Sequence, residues 1–239
     1  MSKTIRTTRF SDLDWASELK DIYIIGAGGI GTYTIFNLSR IGHSLVIFDN
    51  DAVDETNTIG GQLYRTKDIG RPKVMAIQEI CREFGCINSI DGIEDTFDAN
   101  YDVEMPIVIM ALDNMKSRKL VFNKWVEYVD KSFNKEDCLL IDGRLNAELY
   151  EIFTIKGDKE SIDNYAKNHL FDDAEVEELS CTAKQTSFMA MAIGAAITGT
   201  LCNFLTNRKL DTQFRETPFS QRFYLPIMDY KKSEELAYA

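Results

Sequence analysis

At 239 residues, with 44% apolar and 27% charged residues, the chain has the composition of an ordinary globular protein with one sizeable core, and a single domain is expected over 1–239. Its formal net charge of −11 repels a phosphate backbone over most of the surface, so nucleic acid is excluded as an expected partner. Five cysteines, odd in number and without C-x-x-C spacing, point to a reducing, cytoplasmic setting and leave no structural zinc to expect; no long uninterrupted apolar run suggests a signal peptide or a membrane span.

In chain order, residues 1–20 read as an N-terminal arm. "DIYIIGAG" (21–28) is an apolar strand entering a glycine turn, "GTYTIFNLSRIG" (31–42) has apolar residues at helical spacing, and "SLVIFDND" (44–51) is a second buried strand ending in acids. "RPKVMAIQEICREFG" (71–85) reads as a helix with Pro72 in its first turn. Strands follow at 86–93 and 105–114, an amphipathic helix at 115–133, and further strands at 138–145 and 148–157. This alternation predicts an α/β, Rossmann-like doubly wound sheet, mostly parallel with later antiparallel strands. The polar, acidic and weakly helical stretch 158–180 reads as an insertion or crossover segment of the same domain, 181–208 as a long helix rich in small residues, and 221–230 as a last strand.

Gly26, Gly28 and Gly31 fit G-x-G-x-x-G between a strand and a helix, and Gly29 lies within the same turn. Absent side chains let backbone N–H groups and the helix N-terminus approach phosphate oxygens. Asp49, 18 residues after Gly31 at the end of the second strand, is placed to accept from ribose hydroxyls. Nucleotide binding follows from these residues; whether the nucleotide is a hydride carrier or a substrate to be cut does not.

The next stretch separates the two. "DNDAVDETNTIGGQLYRTKDIGRPKVMAI" (49–77) resembles the ThiF/MoeB family of adenylyltransferases, which includes the activating enzymes of ubiquitin and its relatives. The matching residues are Asp49, Asp51, Val53, Asn57, Gln62, Asp68, Ile69, Gly70 and Lys73. Arg6 and Arg9 in "RTTRF", Asp113, Asn114 and Arg118 in "LDNMKSR", and Cys181 in "SCTAKQTS" extend the resemblance over roughly residues 5–205.

The resemblance implies ATP- and Mg²⁺-dependent adenylation of the C-terminal carboxylate of a small ubiquitin-like or sulfur-carrier protein or peptide, by a homodimer with no membrane partner. Charge develops on phosphate during that reaction, so cations are needed more than a strong base. It implies Lys73 as the phosphate clamp, Asp113 as the Mg²⁺ ligand, Arg9 reaching the nucleotide of the partner subunit, Asp49 on the ribose and Asn57 on the phosphate chain. Gly29, Asp51, Gln62 and Asn114 complete the expected nucleotide site. Gly60 and Gly61 stand where the family carries an arginine, and Arg65 or Arg144 is the expected substitute. Cys181 reads either as a nucleophile for thioester or persulfide chemistry or as a packed thiol, since the acids of 172–178 disfavour a nearby thiolate. Two other readings stay open: a catalytically inactive regulatory subunit of a heterodimer, and an NAD-dependent oxidoreductase, which gives no purpose to Asn57, Lys73 or Asp113.

Overall fold

The computed structural model describes residues 12–85, 88–171, 186–209 and 213–233. Eight strands form one sheet in the order β3-β2-β1-β4-β5-β6-β7-β8. β1 is Asp21–Ile25, β2 Ser44–Phe48, β3 Ile90–Ile93, β4 Ile107–Met110 and β5 Leu139–Asn146, all mutually parallel. β6 (Leu149–Lys156), β7 (Ser220–Tyr224) and β8 (Asp229–Lys232) continue the sheet antiparallel. The expected doubly wound sheet with later antiparallel strands is the observed one.

Alternation along the strands splits the interior in two. Ile22 and Ile24 of β1 face one core with Ile107 and Ile109 of β4, while Tyr23 and Ile25 face the other with Val108 and Met110. The first core is closed by α1 (Gly29–Ile41), α3 (Lys73–Glu83) and α6 (Ser187–Asn207), the second by α4 (Met115–Lys131) and α5 (Lys159–Asn168). The short α2 (Glu55–Ile59) lies between β2 and α3. Gly194 lets α6 press on α1: a Cβ there would stand 2.8 Å from that of Tyr33. α6 has a mean hydropathy of 1.7 and by length and composition alone could cross a membrane, but in this fold most of it is buried.

Two details depart from the sequence reading and one sharpens it. The α3 helix begins at Lys73, with Pro72 one position outside at the N-cap. The stretch 158–180, read as weakly helical, begins with a formed helix: Asp158 caps α5, and Tyr165 is fully buried against the sheet. The expected single strand over 221–230 is a hairpin, β7 and β8, turned by a 3₁₀ segment at Leu225–Ile227 and by Met228 in a left-handed conformation.

His43, between α1 and β2, is fully buried; its Nδ1 accepts from the Lys20 amide at 3.1 Å, and its Nε2 has no partner among the described residues. Burial pushes its pKa down from 6.5 to about 4. The folded chain therefore resists protonation, so stability from the neutral ring is complete above pH ~6.5 and is lost as pH falls through ~4, by roughly 3 kcal/mol in all. His43→Asn keeps an acceptor for Lys20 without titrating, and its urea midpoint is expected to fall less between pH 7 and pH 4.5 than that of the parent. Parallel losses in the two proteins would show that His43 does not drive the acid response.

Candidate nucleotide-binding site

The strand order reverses between β1 and β4, and a crevice opens beyond the carboxyl ends of such strands. The glycine turn lies there. Gly26 has φ +101°, its amide donates to the Phe48 carbonyl at 2.8 Å, and a Cβ on it would stand 2.4 Å from the Ala111 carbonyl oxygen. A Cβ on Gly31 would stand 2.0 Å from the Gly26 carbonyl oxygen. The fold itself requires both glycines. Gly28 is different: its φ of −79° suits any residue, and a Cβ there would meet nothing within 4 Å. Its missing side chain instead keeps space open at the N-terminus of α1, where the first amides, including that of Gly29, have no carbonyl within the helix to bond.

Asp49 locks this turn to the β2 loop. Its Oδ2 accepts from the Ala27 amide at 2.7 Å and its Oδ1 from the Asp51 amide at 2.9 Å. Burial raises its pKa, while Lys73 and the two amides oppose that rise. Each oxygen keeps a second lone pair with which it could accept from a ribose hydroxyl.

Lys73 reaches the crevice because residues 51–53 and 70–73 pair. Gly70 donates to Val53 (2.8 Å), Val53 to Arg71 (2.8 Å) and Lys73 to Asp51 (2.9 Å) through backbone groups. The Lys73 side chain is buried, and its Nζ donates to Asp51 Oδ2 at 2.7 Å. One of three ammonium donors is thus committed, and two stay available.

Tyr64 ties the parts together: its hydroxyl donates to the Ala27 carbonyl at 2.7 Å and lies 3.4 Å from that of Lys73. Burial first, then Asp49 and Asp51, drives its pKa far above the ordinary value, so the phenol stays a donor. Beside it, the Leu63 amide donates to Thr32 Oγ1 at 3.2 Å, and Gln62 presents a buried Oε1 with no partner among the described residues. An orphaned acceptor next to an open glycine turn fits a ligand that brings N–H or O–H donors.

Asn57 serves the backbone first, in a reciprocal cap with Asp54: Oδ1 accepts from the Asp54 amide at 3.0 Å, and its own amide donates to Asp54 Oδ1 at 2.8 Å. Its Nδ2 makes no bond among the described residues. Asn114 caps α4, accepting from Ser117 at 2.8 Å, and its Nδ2 donates to Asp113 Oδ1 at 3.1 Å. The exposed Asp113 carboxylate thereby stands beyond the end of β4, on the crevice edge.

The two expected substitutes for the missing arginine already have partners. The Arg65 Nε, NH1 and NH2 are engaged by Asp68 (2.8 Å), Glu83 (2.6 Å) and Glu79 (3.0 Å). The Arg144 Nε donates to Asp142 Oδ2 at 2.6 Å and its NH2 to the His169 carbonyl at 2.8 Å. Arg9 and Cys181 lie outside the described residues. Among the described residues no group of three or more His, Cys, Asp or Glu side chains stands ready for a metal. Mg²⁺, however, is commonly held by one or two carboxylates together with phosphate oxygens, and Asp113 fits that pattern.

Behind the crevice lies a charge cluster that the sequence reading missed. Asp142, fully buried on β5, accepts from Arg118 Nε (3.0 Å), Arg144 Nε (2.6 Å) and the Tyr165 hydroxyl (2.8 Å). Burial alone would raise its pKa, but the two arginines and Tyr165 bring it below the usual carboxylate value. Arg118 also donates to the Leu112 carbonyl, next to Asp113. The available signal was an aspartate inside the apolar run "CLLIDGRL", where an unpaired charge would be too costly.

Comparisons with known proteins accord with this geometry. The ThiF family model matches residues 10–232. The ubiquitin-activating enzyme E1 1 of Candida albicans is 30% identical over 123 residues, which are 45% of this chain and 12% of that protein. A probable molybdopterin-synthase adenylyltransferase of Gracilaria tenuistipitata is 31% identical over 105 residues, 42% of this chain and 30% of that one. The chain thus spans less than half the length of these relatives. The crystal structure of E. coli MccB with ATP superposes with a TM-score of 0.65 at 15% identity, over 92% of this chain and 66% of MccB, a likeness of fold. With the family pattern extending from the first described strand to the last, the chain belongs to the ThiF family.

Proposed function

We propose that this chain uses ATP to adenylate the C-terminal carboxylate of a small ubiquitin-like or sulfur-carrier protein or peptide. The observation that carries the reading is the pairing of an open Gly28 position at a helix N-terminus with a buried lysine on the same crevice. A hydride-transfer site needs the first but has no use for the second. Names among the relatives, ubiquitin-activating enzyme and molybdopterin-synthase adenylyltransferase, support the same chemistry.

Lys73 and the amides at the start of α1 hold phosphate oxygens, with Asp51 aiming the ammonium. Asp49 and Gln62 take the nucleoside. The acceptor carboxylate attacks the α-phosphorus, and pyrophosphate leaves into the field of Lys73. Asp113 would hold Mg²⁺, which neutralises phosphate charge when bound. Arg9, donated across a homodimer, replaces the positive charge lost at Gly60 and Gly61. Where a thioester follows, the Cys181 thiolate attacks the carbonyl of the acyl-adenylate, and AMP leaves. Five cysteines, odd in number and without C-x-x-C spacing, support a reducing, cytoplasmic location. The second reading, an inactive regulatory subunit, is favoured by one observation: Arg65 and Arg144, the nearest substitutes for the missing arginine, are both engaged elsewhere.

Thermal unfolding separates the nucleotides without knowledge of the acceptor. MgATP at 100 times its dissociation constant is expected to stabilise by ~2.7 kcal/mol, or roughly 5–10 °C for a chain of this size, and NAD⁺ by nothing. Stabilisation by NAD⁺ alone would move the protein to the oxidoreductases. Where MgATP binds, pyrophosphate exchange with carriers ending in Gly-Gly distinguishes the enzyme from the regulatory subunit.

A further inference from the structure

The peptide between Ala27 and Gly28 is held at both of its ends by side chains from far along the chain. The Ala27 amide donates to Asp49 Oδ2 at 2.7 Å, and the Ala27 carbonyl accepts from the Tyr64 hydroxyl at 2.7 Å. In a planar trans peptide the C=O and the following N–H point in opposite directions, and none of the described peptides is cis. With the Ala27 carbonyl directed inward at the buried Tyr64, the Gly28 amide is directed outward. That amide makes no hydrogen bond among the described residues. It lies at the one glycine of the turn whose surroundings are open.

The turn needs such a hold because glycine does not supply one. Gly28 leaves space for a ligand by lacking a Cβ, but glycine populates both signs of φ about equally, so a peptide that precedes it turns over at little cost. In the reversed peptide the Ala27 carbonyl oxygen would face the crevice in place of the Gly28 N–H. A partial negative charge would then meet phosphate oxygens where a donor should be.

Tyr64 is built to prevent the reversal. Its ring belongs to the first core and is 7% exposed, and the neighbouring Leu63 amide is fixed on Thr32 Oγ1 at 3.2 Å. The hydroxyl therefore approaches Ala27 from a set direction. The Lys73 carbonyl, 3.4 Å from the same hydroxyl, lies in the first turn of α3, where the helix provides its own donor. Ala27 is fully buried, and its carbonyl has no second partner among the described residues. Removing the hydroxyl thus orphans the Ala27 carbonyl, and turning toward the crevice is the way it regains water.

We infer that Tyr64 is a positioning residue for phosphate binding: its hydroxyl holds the peptide before Gly28 so that the Gly28 amide faces the phosphates, while Tyr64 itself does not touch the nucleotide. The inference rests on the proposed function only in taking that nucleotide to be ATP. Tyr64→Phe removes one oxygen and keeps the ring, so the core around it stays filled.

The test uses the full chain labelled with ¹⁵N-glycine, as parent and as Tyr64→Phe, with MgATP and NAD⁺ as probes. In the parent the Gly28 amide proton is expected to move downfield when MgATP is added. In Tyr64→Phe that response should be lost or much reduced at saturation, and calorimetry should show MgATP bound about 10-fold more weakly, as for one missing hydrogen bond. The Gly26 and Gly31 amides, in positions the fold itself requires, should keep their parental shifts. A Gly28 amide that ignores both probes in the parent, an equal response in the two proteins, or unchanged affinity would each overturn the inference. Gly26, Gly28 and Gly31 shifting together in Tyr64→Phe would overturn it as well, because that marks a general loosening of the turn. A parent in which Gly28 responds to NAD⁺ alone overturns the adenylation reading instead, and the same comparison with NAD⁺ then decides the role of Tyr64.

Discussion

Lys73→Met is expected to remove most nucleotide affinity and turnover while leaving the fold intact. Methionine keeps the buried stem and removes the ammonium, so no large cavity opens at the start of α3. The partner carboxylate, Asp51, is 62% exposed and can return to water. A charge-assisted hydrogen bond to phosphate contributes about 1.5–3 kcal/mol, which weakens MgATP by roughly 10- to 100-fold. At a ligand concentration that saturates the parent 100-fold, a 100-fold loss cuts the stabilisation from ~2.7 to ~0.4 kcal/mol. Turnover, measured as pyrophosphate exchange, should fall further, by about 10²–10³, because the ammonium faces charge that grows in the transition state. Exchange within a few-fold of the parent would mean that Lys73 is a structural partner of Asp51 and nothing more.

The second large effect is on stability. Asp142→Ala leaves Arg118 and Arg144 facing each other in the interior without their shared carboxylate. Breaking a buried ion cluster on one side costs ~3–5 kcal/mol, and the thermal midpoint should fall by roughly 6–20 °C. Replacing all three charges together, D142L with R118M and R144M, removes the uncompensated charge and should recover most of that loss. Urea midpoints with unchanged slopes give both numbers. If the triple variant is no more stable than Asp142→Ala, the loss comes from packing and hydrogen-bond geometry around Tyr165 and not from stranded charge.

The parts of this fold that were legible in the sequence are those whose burial is periodic. β1, α1, β2, α3, β4 and α4 each bury a face that the spacing of Ile, Val and Leu announces. The helix α5 was only weakly legible because Ile162 and Tyr165 alone of its ten residues pack as apolar side chains against the second core. The β7–β8 turn was hidden because "LPIM" contains neither Gly nor Asn, and the left-handed residue is Met228. The turn glycines and Lys73 were legible through motif spacing. Tyr64 and Asp142 were not, since each acts through contacts 37 and 24 residues away in sequence, with Ala27 and Arg118. The partners of Arg65 were hidden for the same reason: nearness along the chain does not tell which carboxylates will take a guanidinium first.

The return of β7 to β6 sets an order for assembly on the ribosome. β6 ends at Lys156, and the strand that covers its outer edge begins at Ser220, about sixty residues later. At ~5–20 residues per second, that edge waits roughly 3–13 s for its neighbour during synthesis. A long apolar strand with an open edge is a template for pairing with another chain. Nascent-chain aggregation should therefore concentrate in that interval and be sensitive to charge placed on the outward face of β6, where Glu151 already stands.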